Sequence, residues 1–178
     1  MATVEIVTTT DASTTLDELL WVVLRQPLGL PRDVRSSFKL EGEEFELLAQ
    51  ENKQVVGGLV AVCTGDAGME LRHLAVAFHA QGRGIGRSLV AELCRIAKAR
   101  NCWRIHTIAR NTSAEFFRTL GFQAAPGLAP EHPLFLEHGI KFELMEKFVE
   151  QDAPADRSPA TRVASAELCV SFRRRYKI

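Results

Sequence analysis

Two strand-like runs, GMELRHLAVA (68–77) and CWRIHTIA (102–109), flank one amphipathic segment. Between Gly84 and Arg100 the apolar residues Ile85, Leu89, Leu93, Ile96 and Ala97 recur at 3.6-residue spacing, which predicts a helix with one buried face. A strand, a helical crossover and a second strand make parallel neighbours with a right-handed connection. This unit restricts the chain to folds that mix strands and helices around one sheet. With 178 residues, one domain with a substantial core is expected.

The rest of the pattern fits around this unit. TVEIVTTT alternates and is β-branched, so it reads as a strand. Ser13-Thr14-Thr15 offers a helix start, and Leu16, Leu19, Leu20, Val23 and Leu24 form a stripe that stops before Pro27 and Gly29. EFELLAQ (44–50) and QVVGGLVAVCT (54–64) read as a hairpin turning near Asn52-Lys53. Gly57 and Gly58 within it imply a bulge or close packing. Ser113 to Leu120 reads as a short helix closed by Gly121. A Pro-rich loop, 126–133, leads to a last strand, GIKFELMEKFV (139–149). After Glu150 the composition becomes small, polar and Pro-containing, so residues 1–150 are expected to form the domain and 151–178 a linker and basic tail. AELCVSF within that tail could form a marginal strand.

Composition gives some functions no support. Lys plus Arg equals 22 and so does Asp plus Glu, leaving no net charge to attract nucleic acid or an anionic membrane. No run approaches the ~18 apolar residues of a membrane span. The N-terminus lacks a basic region followed by an apolar run, and Cys63, Cys94, Cys102 and Cys169 follow no framework or zinc spacing. A cytoplasmic protein with reduced thiols and no metal is the expectation, and a homodimer is compatible with it.

The loop joining the first strand to the helix holds Gly82, Gly84 and Gly86. Glycines there let backbone N–H groups approach a ligand, and a helix N-terminus favours an anion such as a pyrophosphate. Arg83 and Arg87 reinforce that sign. The spacing is neither GxxxxGK[ST] nor GxGxxG. It is Gln81-x-x-Gly84-x-Gly86, which resembles the acetyl-CoA loop of the GCN5-related N-acetyltransferase (GNAT) superfamily. Leu74-Ala75-Val76 falls where that superfamily's strand pairs with the pantetheine arm, and ARNTSAEFFRTLGF (109–122) resembles its second segment. LRQPLGL (24–30) and GIKFELMEK (139–147) resemble a subgroup of small acetyltransferases.

The resemblance implies an α/β fold, a mixed and strongly twisted sheet with helices on both faces, parted between strands 68–77 and 102–109. It implies acetyl-CoA as co-substrate, held by Leu74, Ala75, Val76, Gln81, Gly82, Arg83, Gly84, Ile85, Gly86, Arg87, Asn111 and Phe116. The implied activity is acetyl transfer to a primary amine by direct attack in a ternary complex. Glu70, six residues before Val76, matches the glutamate base of the histone-modifying members; by strand alternation it would share a face with Arg72, Leu74 and Val76, with His73 opposite. The alternative for Glu70 is an ion pair with Arg72 at the sheet's solvent end. A Tyr often serves as acid one residue after a Phe in the second segment, but here that position is Phe117, and the chain's single Tyr is Tyr176. A CoA-binding module with little catalysis is therefore the rival reading. Two further departures are Arg110, where many members have Asn, and Lys141-Phe142, where the subgroup has Pro-His. His73 and His106 read as structural, and His79, His132 and His138 as loop residues.

Overall fold

A computed structural model describes residues 3–7, 10–30, 32, 42–131 and 133–151. Seven strands form one sheet in the order β1-β2-β3-β4-β5-β7-β6. They are β1 (Thr3–Ile6), β2 (Glu44–Glu51), β3 (Gln54–Thr64), β4 (Gly68–Val76), β5 (Arg104–Arg110), β6 (Gln123–Ala124) and β7 (Phe142–Phe148). The helices are α1 (Thr10–Leu24), α2 (Ile85–Ala99), α3 (Asn111–Thr119) and α4 (Pro133–Glu137). Only β4 and β5 pair in parallel, as a crossover through α2 requires. This is the mixed α/β sheet expected from the sequence.

Two apolar clusters cover the two faces. On the α2 face, Leu47, Leu59, Met69, Ile85, Leu89, Leu93, Ile105 and Met145 belong to the main core. On the α1 face, Leu16 and Leu20 pack with Leu48, Val60 and Ala75. Gly57 and Gly58 are where both helices approach β3. A Cβ on Gly57 would lie 2.8 Å from Ile85 of α2, and one on Gly58 would collide with Leu16 of α1. Close packing explains this pair, and a bulge lies beside it: Ala49 pairs with Gly57 but Gln50 with Val55, leaving Val56 as the extra residue. The hairpin turn has both Asn52 (φ 51°) and Lys53 (φ 64°) in the left-handed region, as a two-residue type I′ turn demands.

Several boundaries differ from the sequence reading. Helix α1 begins at Thr10, ahead of Ser13, because the stretch 10–15 offers several residues that suit a helix start. The loop read at 126–133 is followed by α4, whose five residues are too short to show a period. Gly139 closes α4 with φ 68°: Gly139 N–H donates to Leu136 O and Ile140 N–H to Phe135 O. That cap is why the last strand starts at Phe142 and not at 139. Gly121 (φ 83°) closes α3 in the same way, through Gly121 N–H to Arg118 O and Phe122 N–H to Phe117 O. Strand β6, two residues long, gives no sequence signal. The tail from 152, including AELCVSF and Tyr176, lies outside the described residues, as does His132. Cys63, Cys94 and Cys102 are free thiols; the sulfurs of Cys63 and Cys102 are 4.0 Å apart.

Candidate active site

The parallel ladder stops early. Gly68 to Leu71 of β4 pairs with Arg104 to Thr107 of β5, and the Thr107 hydroxyl donates to Leu71 O at 2.8 Å. Beyond that rung the strands separate, while β4 runs on to Val76 and β5 to Arg110. The gap opens into a cleft of about 880 Å³. Backbone groups on the β5 side of residues 72–76 lack a strand partner there, and such groups seek hydrogen bonds elsewhere. Val76 O takes one from the Gln81 side-chain amide at 3.0 Å.

The three loop glycines do different jobs. Gly82 (φ 75°) and Gly84 (φ 83°) adopt left-handed backbone, and nothing lies within 4 Å of the position a Cβ would take. Gly86 instead admits Phe116 of α3, whose ring would come within 3.0 Å of a Cβ. The helical bond Ser88 N–H to Gly84 O is the first of α2. The N–H groups of Ile85, Gly86 and Arg87 therefore precede the helical ladder and face outward for an acceptor. Gln81, Gly82, Gly84, Ile85, Gly86, Arg87 and Phe116 all line the cleft, as do Leu74, Ala75 and Val76. Ile85 contributes backbone only, because its side chain is in the core.

Two residues grouped with this loop from sequence turn elsewhere. The Arg83 guanidinium is bound by Glu51, and Arg83 does not line the cleft. Asn111 ties α3 to the 139–141 segment: its amide donates to Gly139 O at 3.3 Å and its oxygen accepts from Lys141 N–H at 3.4 Å.

Glu70 requires a correction. Val60 pairs with His73 and Ala61 with Leu71, so Arg72 is an extra residue in β4, a bulge. A bulge inverts the alternation of everything beyond it. Glu70 thus shares the α1 face with His73 and Ala75, while Leu74 and Val76 point to the α2 core. Glu70 is not at a solvent end either. It is 4% exposed, with Arg72 Nε at 3.8 Å and His106 Nε2 at 3.9 Å. The register sets Glu70, His106 and Glu146 in one row across β4, β5 and β7.

Phe117 is buried at the cleft wall, with the rings of Phe116 and Phe122 edge-on at 5.3 Å each. Its ring carries no proton to donate. On the α1 face the cleft is walled by Leu24, Arg25, Leu30, Arg110, Phe135 and Phe142. Sequence reading gives these residues no place in the site: Leu24, Arg25 and Leu30 stand only within LRQPLGL, Arg110 and Phe142 only as departures from the family pattern, and Phe135 of the short α4 is missed. Arg110 donates through Nη2 to Leu24 O at 2.8 Å, and burial pushes its guanidinium below the ordinary arginine value. Among the described residues, no group of three or more His, Cys, Asp or Glu is arranged to hold a metal ion. No helix there is long and apolar enough to cross a membrane.

A mixed seven-strand sheet with helices, parted between β4 and β5, is the fold of the GNAT acetyltransferases. Residues 43–124 match the acetyltransferase (GNAT) domain family. Within that segment the chain is similar to the GCN5-related N-acetyltransferase superfamily. Its fold is similar to that of Tetrahymena GCN5, with 19% identity, 85% of this chain and 98% of that one covered, and a TM-score of 0.65. It is also similar to the ribosomal-protein-S18-alanine N-acetyltransferase of Escherichia coli, at 17% identity, with 89% and 99% covered and a TM-score of 0.71. A third similar structure is an aminoglycoside 6′-N-acetyltransferase complexed with coenzyme A, at 16% identity, with 85% and 99% covered and a TM-score of 0.67. No curated protein matches the chain in sequence.

Proposed function

We propose that residues 1–150 form a cytoplasmic N-acetyltransferase that moves the acetyl group of acetyl-CoA to a primary amine by direct attack. The observation that carries this reading is the loop 81–87, whose open glycines and unbonded helix-start N–H groups face the gap between β4 and β5. The space at Gly82 and Gly84 fits a pyrophosphate, and Arg87 at the rim adds charge of the right sign. The unpaired edge of β4 beyond Leu71 suits an amide-bearing arm laid along it like a strand. In the reaction the amine nitrogen bonds to the thioester carbonyl carbon, the C–S bond breaks, and the amine's proton leaves. We assign Glu70, which lines the cleft and is buried beside His106 on the α1 face, to take that proton. Two groups with one partner function in view follow: the α2 side holds CoA and the α1 side admits the amine.

The second reading, a CoA-binding module with weak catalysis, is favoured by Phe117, which puts a hydrocarbon ring where an acid would protonate the thiolate. A thiol of pKa about 8.5 leaves tolerably without help, which supports the enzyme. Calorimetry with acetyl-CoA, followed by a thiol-release assay over an amine panel, separates the two. Gly84→Glu puts a side chain on left-handed backbone and an anion beside the bound phosphates. We expect it to weaken acetyl-CoA binding by at least ~30-fold, about 2 kcal/mol. Unchanged affinity in a folded variant refutes the assignment of the loop.

A further inference from the structure

The α1-side lobe of the cleft is lined by three arginines, Arg25, Arg72 and Arg110. Of the carboxylates lining the cleft, Glu70 faces Arg72 and Glu131 is exposed to water. Against them stand Arg25, Arg72 and Arg110 on this side, with Arg87 at the loop end. Arg25 is 5% exposed.

Arg110 is the distinctive group. It ends β5 on the face shared by His106, opposite Phe142 of β7. Its guanidinium donates one bond to Leu24 O and lies 5.9 Å from the Phe135 ring, which packs edge-on against Phe142 at 5.1 Å. Among the described residues no carboxylate is paired with it. One carbonyl accepts from one of five N–H donors, and an aromatic face supplies no countercharge. A cation held in an apolar wall without a carboxylate is costly unless something anionic arrives.

Resting on the acetyl-transfer reading, we propose that Arg110 binds a carboxylate of the acceptor, so that the substrate is a small amine that itself carries a carboxylate. The guanidinium fork matches a carboxylate in shape, and the flanking Leu24, Phe135 and Phe142 suit a short hydrocarbon between the two ends. The same cations favour the neutral, attacking form of the amine, since like charge disfavours an ammonium. Polycationic amines are disfavoured for the same reason.

The test uses the full chain and thiol release from acetyl-CoA. Glycine, β-alanine and 4-aminobutyrate are each compared with the corresponding amide, and butylamine serves as a control that has the amine but no carboxylate. The expected result is that at least one acid exceeds its amide by about tenfold or more in kcat/KM, the scale of a charge-assisted bond. Arg110→Gln should collapse that ratio toward one through KM, with kcat within a few-fold of wild type and acetyl-CoA binding by calorimetry unchanged. Arg110→Lys should keep part of the ratio. Amides or butylamine that match the acids overturn the proposal, as does a ratio that survives Arg110→Gln. If Arg110→Gln does not fold, the wild-type ratio and Arg110→Lys decide. Acetyl-CoA binding with no turnover of any acid refutes the carboxylate site alone, whereas failure to bind acetyl-CoA refutes the underlying reading.

Discussion

On the α2 side of the cleft the groups offered to a ligand belong to the backbone; on the α1 side they belong to side chains. Loop 81–87 presents N–H groups over bare glycines, supported from below by Ile85 and Leu89 in the core. The facing lobe presents Glu70 and Arg110, each placed by strand register and by contacts with other elements. A backbone site depends on a few residues whose identity cannot vary, because a left-handed φ or a 3.0 Å approach admits little but glycine. A side-chain site depends on how several strands are aligned, and one inserted residue can reassign all of it.

The largest effect that would sharpen this contrast is expected from Glu70→Gln. If Glu70 takes the amine's proton, turnover should fall by about 100-fold or more with acetyl-CoA affinity unchanged. A merely structural Glu70 would show the opposite: a lower thermal midpoint, because Arg72 loses its buried partner, and turnover per folded molecule close to wild type. Thermal scans and single-turnover rates on the same preparation distinguish the two.

Phe117→Tyr should act in the other direction and less strongly. The side chain lines the cleft, so on the acetyl-transfer reading the added hydroxyl would stand on the side of the departing thiolate. A retrofitted acid is expected to raise kcat by no more than about tenfold, below the usual range for a positioned one. An unchanged rate at equal acetyl-CoA affinity would mean that departure is not limiting.

The smallest effects, and the most direct check that the two sides are separable, come from the adjacent glycines of β3. Gly57→Ala crowds Ile85 and Leu89 at the base of the loop; Gly58→Ala crowds Leu16 of α1. Both should destabilise by about 1–3 kcal/mol through overpacking. Only Gly57→Ala should weaken acetyl-CoA binding, by a few-fold, while Gly58→Ala should leave it alone and disturb the amine lobe. Equal effects on acetyl-CoA binding would show that the sides are coupled through the sheet.

The same contrast explains what could be read in advance. The β4-α2-β5 unit, the hairpin and the glycine loop rest on local periodicity and on residues with strict backbone roles, and those signals survive in the sequence. Thr107, Arg110, Phe135 and Phe142 come together only through the pairing of β4, β5 and β7 and the docking of α4, and nothing local announces them. Glu70 was visible as a candidate, but its face was not. Alternation assumes a regular strand, and Arg72 breaks that assumption without a Gly or Pro to mark it. Arg83 and Asn111 show the reverse failure. The family resemblance implied ligand contacts for both, whereas their side chains engage Glu51 and the 139–141 segment.

The early stop of the ladder at Leu71 and Thr107 has a practical consequence. A molecule lying along β4 beyond that rung would complete a sheet that the folded chain leaves incomplete, and the unfolded chain has no such edge to offer. Occupancy of the cleft and resistance to heat are then linked quantities: at a ligand concentration 100 times its dissociation constant, the folded state gains about 2.7 kcal/mol. A melting-temperature survey of acyl-CoA thioesters and amines can therefore rank occupants of each side separately, before any reaction has been detected.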